Sequence, residues 1–324
     1  MCVSRRNLII ALLALVATDS LAGPALAQQG SRQTPMERRR EEERKREEAA
    51  RVRRQLARPE DAKLIRDAAW AASVIYSHEN KTKTSAEAGL RTDLVAKGLL
   101  ANPHVTYVRN QGTYQWDYYV AWDGSTVYLV FRGGKGTTIQ KSIFVGAIPN
   151  PFNGSHTGIG VAHETIRADV ERLLTNAGAR NKRLIIVGHS MGGMMAGITA
   201  WNLINNSVPV HAVVTFAAPR YGDGNFERSF ETLANRRGVK VYSVENSYDP
   251  NPTAHTPFTQ SRIGRNIDMP FRERKDSLVN HDPHSERGYY DYAQLVLDYI
   301  NEPPLGLPIG RPGFPGGTPH QPRG

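Results

Sequence analysis

Gly188-His189-Ser190-Met191-Gly192 sets a serine between two glycines at G-x-S-x-G spacing. It follows the apolar run Leu184-Ile185-Ile186-Val187 and opens a helix-like run from Met191 to Ile204. Strand, sharp turn and helix, in that order, present a hydroxyl above the edge of a sheet. So cramped a turn leaves no room for a side chain at 188 or 192, and glycine removes the clash. The start of the following helix favours negative charge developing beside it. The chemistry that fits is attack by Ser190 on an acyl carbon.

An activated serine needs a base, and the base needs a group to orient it. In an open α/β sheet both should lie on loops at the carboxyl ends of strands. In this arrangement they follow in the order Ser, Asp, His. Past the strand expected over 239–244 come Glu245 and then Asp249, in a loop that also carries Pro250, Pro252 and Pro257. Asp249 is the expected orienting carboxylate and Glu245 the runner-up. Of ten histidines, His156 and His163 precede the serine, and His189 inside the turn reads as structural. His255 is too near Asp249 in sequence, and His320 belongs to the tail. His281 and His284 both precede the last expected helix, and spacing alone does not choose between them. Two N–H groups should receive the oxyanion. One is that of Met191, and a second comes from the loop Phe131-Arg132-Gly133-Gly134.

The elements that must position these residues are legible as alternating patterns. Helices are expected over 61–76, 161–175, 191–204, 224–235 and about 286–299, and strands over 118–122, 126–131, 184–187, 212–216 and 239–244. Strands alternating with helices predict an α/β fold, a mostly parallel central sheet with helices on both faces. The apolar, β-branched strands at 184–187 and 212–216 suit buried parallel positions.

Residues 1–27 read as a signal peptide: a basic start at Arg5-Arg6, an apolar run from Leu8 to Ala17, and Ala25-Leu26-Ala27 as a cleavage site. Ser4-Arg5-Arg6-Asn7-Leu8 also fits a twin-arginine signal loosely. Export is expected, to the periplasm or the medium. The single cysteine, Cys2, lies inside this segment, so a mature chain would hold no disulfide and depend on its core. No Cys/His spacing suggests a metal. Residues 28–58 form an Arg/Glu-rich arm carrying +5 of the net charge of +10, against +3 for 59–300. Its Glu41/Lys45, Glu42/Arg46 and Glu47/Arg51 pairs suit a solvated helix or a disordered spacer, and contact with an anionic membrane or envelope surface is the functional alternative to that plain reading. With the charge concentrated there, the domain at 59–300 is not read as a nucleic-acid binder. Residues 301–324 read as a Pro/Gly-rich disordered tail.

These stretches together resemble the class 3 (fungal-type) lipases of the α/β-hydrolase superfamily. Val130-Phe131-Arg132-Gly133 is similar to that family's V-F-R-G, and His156-Thr157-Gly158-Ile159 to its H-x-G-F. Gly188 to Gly193 resembles G-H-S-L-G-G, Thr215 to Asp223 resembles T-F-G-x-P-R-V-G-N, and Asn246 to Pro250 resembles N-x-x-D-x-V-P. His284-Ser285 with Tyr289 resembles H-S-x-x-x-Y and favours His284 over His281. The resemblance implies a carboxylic-ester hydrolase of lipase type needing no cofactor, with Ser190, Asp249 and His284 as triad and the N–H groups of Gly134 and Met191 as oxyanion hole. The alternatives are a phospholipase A1 or short-chain esterase, and more remotely a non-catalytic envelope-binding protein. The chain departs from the family at Gly134, where a Thr or Ser is usual, and in lacking the valine of the aspartate loop. Residues 135–160, at the position of the family's lid, read equally as a mobile apolar flap or a packed loop.

Overall fold

The computed structural model describes residues 34–36, 39–40, 43, 59–109, 116–134, 155, 157–246, 249, 252 and 261–268. The expected signal peptide, the tail, residues 135–154 and 156 of the 135–160 stretch, the helix at 286–299 and His255, His281 and His284 lie outside the described residues. In the charged arm, positions 35–36, 39–40 and 43 are helical and exposed.

Among the described residues, seven strands form one sheet in the sequential order β1 (His104–Arg109), β2 (Asp117–Trp122), β3 (Thr126–Phe131), β4 (Arg183–His189), β5 (Val210–Phe216), β6 (Lys240–Glu245) and β7 (Arg265–Asp268). The first three pair antiparallel, and β3 through β7 pair parallel. Asp123 makes the β2–β3 turn: its carboxylate accepts the N–H groups of Ser125 and Thr126. Burial alone would raise its pKa, but these N–H groups and that of Ala101 hold it below the usual carboxylate value.

Five helices pack on this sheet among the described residues: α1 (Pro59–Val74), α2 (Lys83–Ala96), α3 (Thr157–Asn176), α4 (Met191–Asn205) and α5 (Gly224–Arg237). Helices α3, α4 and α5 are the crossovers between parallel strands. A sequential strand order with crossovers of one hand puts all three on one face. They bury Ile166, Met195 and Phe226 against Leu129, Ile186 and Val213. The opposite face would then lie bare, and α1 and α2 cover it. Ile65, Ala68, Ala72, Leu90 and Leu94 pack there on Val130, Val187 and Val214. Neighbouring residues of β4 point to opposite cores, Ile185 to one and Ile186 to the other, as the strand's two-residue period requires. A leucine or isoleucine so buried contributes about 2–3 kcal/mol.

The expected elements inside this region are present, with ends displaced by a few residues. The expected helix at 161–175 begins four residues earlier, at Thr157. Three further elements, α2, β1 and β7, complete the fold. Helix α2 starts where the Thr82 side chain accepts the Ser85 N–H, an N-cap the sequence carries.

Candidate functional site

Ser190 sits between β4 and α4 at φ 56° and ψ −132°, a conformation that a side chain seldom adopts. Packing on every side holds it there. A Cβ on Gly188 would lie 2.1 Å from the Gly192 carbonyl oxygen, and one on Gly192 would lie 2.4 Å from those of Phe131 and Arg132. The turn therefore presses against both its own helix and the end of β3, which is why both glycines are needed. The Ser190 N–H donates to Phe216 O at 2.8 Å, and Ser190 O accepts from Gly193 N at 2.8 Å. The strain is thus balanced by hydrogen bonds to the next strand and to the helix.

Strand ends support one another across the sheet. Ser190 hangs on the last residue of β5, and the Ala217 N–H in turn donates to Val244 O of β6 at 3.0 Å. Ala217 has φ 52°, in the position where the family motif carries glycine.

Past β6, the two candidate carboxylates differ in surroundings. Glu245 faces two guanidinium groups: it pairs with Arg262 and lies 3.9 Å from Arg220. It reads as a structural ion pair tying the ends of β5, β6 and β7. Asp249 is only 1% exposed, in a turn closed by its own N–H to Asn246 O at 2.9 Å. His281 and His284 lie outside the described residues; of the expected site residues, Ser190, Met191, Gly134 and Asp249 are described.

Met191 opens α4, where helix geometry leaves its N–H without an intrahelical acceptor. Gly134 follows β3 in the loop that passes beside Ser190, since a Cβ on Gly133 would stand 3.1 Å from Ser190 Cβ. His189 is buried, and its Nδ1 lies 2.7 Å from the Tyr76 hydroxyl. The same hydroxyl accepts the Gly133 N–H at 2.9 Å. In the sequence Tyr76 stands only at the end of an expected helix. Partners 57 and 113 residues away leave no local signal.

His163 lies apart from this group. It is buried on α3 and lines a cavity of about 180 Å³ with Trp201, Asn202 and Ile198 of α4. Burial, first among its influences, holds its pKa below the ordinary 6.5. Among the described residues no cluster of His, Cys, Asp and Glu could hold a metal.

Residues 129–259 match the family profile described as Lipase (class 3). Two curated relatives are Phospholipase A1-II 4 of Oryza sativa subsp. japonica, 29% identical over 123 residues (36% of this chain, 30% of that one), and chloroplastic Phospholipase A(1) DAD1 of Arabidopsis thaliana, 30% identical over 121 residues (36% and 26%). The chain spans about three-tenths of the length of the curated relatives it matches. Among solved structures, the nonglycosylated LIP2 lipase of Yarrowia lipolytica superposes with TM-score 0.52 at 17% identity, covering 65% of this chain and 80% of that one. A lipase from Rhizopus microsporus var. chinensis gives 0.51 at 15% identity, covering 66% and 76%. These structures share the α/β fold described above.

Proposed function

We propose that this chain, whose residues 129–259 match the class 3 lipase profile, hydrolyses carboxylic esters of lipids through an acyl-enzyme on Ser190. The observation that carries this reading is the strained turn at Ser190, φ 56°, held between two glycines that admit no side chain. Strain of this kind costs about 1–3 kcal/mol and persists only where the surrounding packing enforces it, and a reactive hydroxyl at such a point is what a nucleophile elbow requires.

In this reading Ser190 Oγ attacks the ester carbonyl. His284 takes its proton and returns it to the leaving alcohol. Asp249 orients the imidazole and stabilises its charged form. The N–H groups of Met191 and Gly134 hold the oxyanion, and the positive end of α4 favours the charge. Burial suits Asp249 to this role, because a carboxylate shielded from water acts on a neighbouring imidazolium more strongly than a solvated one. Glu245 is already engaged with arginines.

A second substrate reading has its own support. The curated relatives include phospholipases A1 of rice and Arabidopsis, so removal of one acyl chain from a phospholipid is the alternative to acylglycerol hydrolysis. Export and contact of the arm at 28–58 with an anionic membrane complete the proposal.

The test is hydrolysis of p-nitrophenyl esters of two to sixteen carbons, triacylglycerol emulsion and phosphatidylcholine vesicles, by the chain and by Ser190→Ala. Turnover lost in the variant supports the serine mechanism. Release of fatty acid from vesicles but not emulsion supports the phospholipid reading. Equal turnover by both proteins would overturn the assignment of Ser190.

A further inference from the structure

Resting on that ester-hydrolase reading, we propose that Tyr76 and Arg132 are positioning residues that aim the Gly134 N–H at the developing oxyanion. The observations fall on the two peptide units that flank the Gly133 Cα.

The Gly133 N–H donates to the Tyr76 hydroxyl at 2.9 Å. It is therefore occupied and cannot turn toward a substrate, and the next N–H along the loop is that of Gly134. The Gly133 carbonyl accepts from Arg132 Nη1 at 2.9 Å. That carbonyl and the Gly134 N–H belong to the same planar peptide unit. The described peptide bonds are all trans, so the two groups point in opposite directions. Fixing the carbonyl oxygen on the guanidinium thus fixes the direction of the Gly134 N–H. Gly134 has no side-chain hydroxyl to add a second donor, so the aim of this one N–H carries the loop's whole contribution.

The brace is anchored at both ends. The Arg132 guanidinium lies 4.6 Å from the centre of the Tyr76 ring, and Nη2 pairs with Glu79. Tyr76 belongs to the 3₁₀ turn Tyr76–His78, and Glu79 caps it, so one short segment holds both arms of the brace. On the other side, the Tyr76 hydroxyl lies 2.7 Å from Nδ1 of His189, the residue before the nucleophile. One oxygen atom therefore ties the oxyanion loop to the nucleophile turn. There is no slack between them: a Cβ on Gly133 would meet that oxygen at 2.6 Å and Ser190 Cβ at 3.1 Å.

Tyr76→Phe keeps the ring over Arg132 and removes the oxygen. Arg132→Lys keeps the charge and removes the planar fork. Each is expected to lower kcat by about 10-fold or more while KM changes little, because the lost alignment matters only once the oxyanion forms. Inhibition by a trifluoromethyl ketone, which mimics the tetrahedral adduct, should weaken in the same proportion, and binding of a product fatty acid should not. Folded variants with wild-type kcat, or with ketone and fatty acid weakened alike, would overturn the proposal. If neither variant folds, amide hydrogen exchange in the wild-type chain decides: slow exchange at Gly133 supports the capped N–H, and fast exchange refutes it. A wild-type chain that neither cleaves any ester nor reacts with a fluorophosphonate overturns the ester-hydrolase reading itself. An active wild type with unaffected variants overturns only the brace.

Discussion

Strands β4 and β5 lie side by side, run parallel, and each ends in a non-glycine residue at positive φ: Ser190 at 56° and Ala217 at 52°. Their backbone hydrogen bonds are also alike, each N–H donating to a carbonyl at the carboxyl end of the next strand. Yet Ser190 carries the hydroxyl that the proposed chemistry needs, and Ala217 carries only a methyl. The same backbone feature therefore has two meanings. At Ser190 glycine would relieve the strain only by removing the proposed nucleophile. At Ala217 it is a local cost that glycine would remove. A positive φ marks a functional residue only when the side chain has chemistry to do.

The comparison breaks first at the hydroxyl. Ser190→Ala should lower kcat by roughly four to six orders of magnitude, measured on a soluble ester, with the fold intact by circular dichroism. Ser190→Gly should be equally inactive yet more stable by about 1 kcal/mol in urea unfolding, since glycine accepts this backbone freely. An inactive variant no more stable than wild type would remove the argument from strain.

One strand further, Asp249→Asn should lower kcat by about 10³–10⁴-fold. Glu245→Gln should leave kcat near wild type while costing about 1–3 kcal/mol through its arginine partners. The reverse pattern would exchange the two assignments. Gly188→Ala should destabilise by about 3 kcal/mol or more, because the new methyl meets backbone that cannot move aside. A soluble variant with an unchanged denaturation midpoint would show that the turn can open.

Ala217→Gly is the sharper and smaller test: unchanged kcat and a gain of up to about 1 kcal/mol. Lost activity there would mean that β5 does more than hold the Ser190 N–H.

The smallest effect lies away from both strand ends. His163 is held neutral by burial, with Glu164, Arg167 and Glu171 around it, and its pKa falls below 6.5. The unfolded chain then binds more protons just below pH 6.5, so stability rises with pH through that window. His163's contribution is present above pH 6.5 and is lost as pH falls toward the folded pKa. Melting temperatures from pH 7 to 5 should therefore drop more steeply for wild type than for His163→Gln. Parallel curves would place the acid sensitivity elsewhere.

Much of this architecture is local and so was legible. The elbow announces itself because steric demand at 188 and 192 can be met only by glycine, and because its strand and helix are adjacent in the chain. The crossover helices α3, α4 and α5 follow from periodicity for the same reason. Strand β1, His-Val-Thr-Tyr-Val-Arg, alternates inward Val105 and Tyr107 with less buried neighbours, a two-residue signal that the sequence also carries. Strand β7 is four residues long and carries too little pattern to be seen.

By itself the sequence determined the strand–turn–helix at Ser190, the order of the candidate triad, the α/β class and the family resemblance, because each depends on neighbouring residues or short spacings. Only the tertiary structure decided that Glu245 is bound to Arg220 and Arg262, that Asp249 is shielded from water, and that Tyr76 joins Gly133 to His189. Those facts depend on which distant segments the sheet brings to one edge. A side chain's partners across 57 or 113 residues are set by packing, which no local pattern encodes.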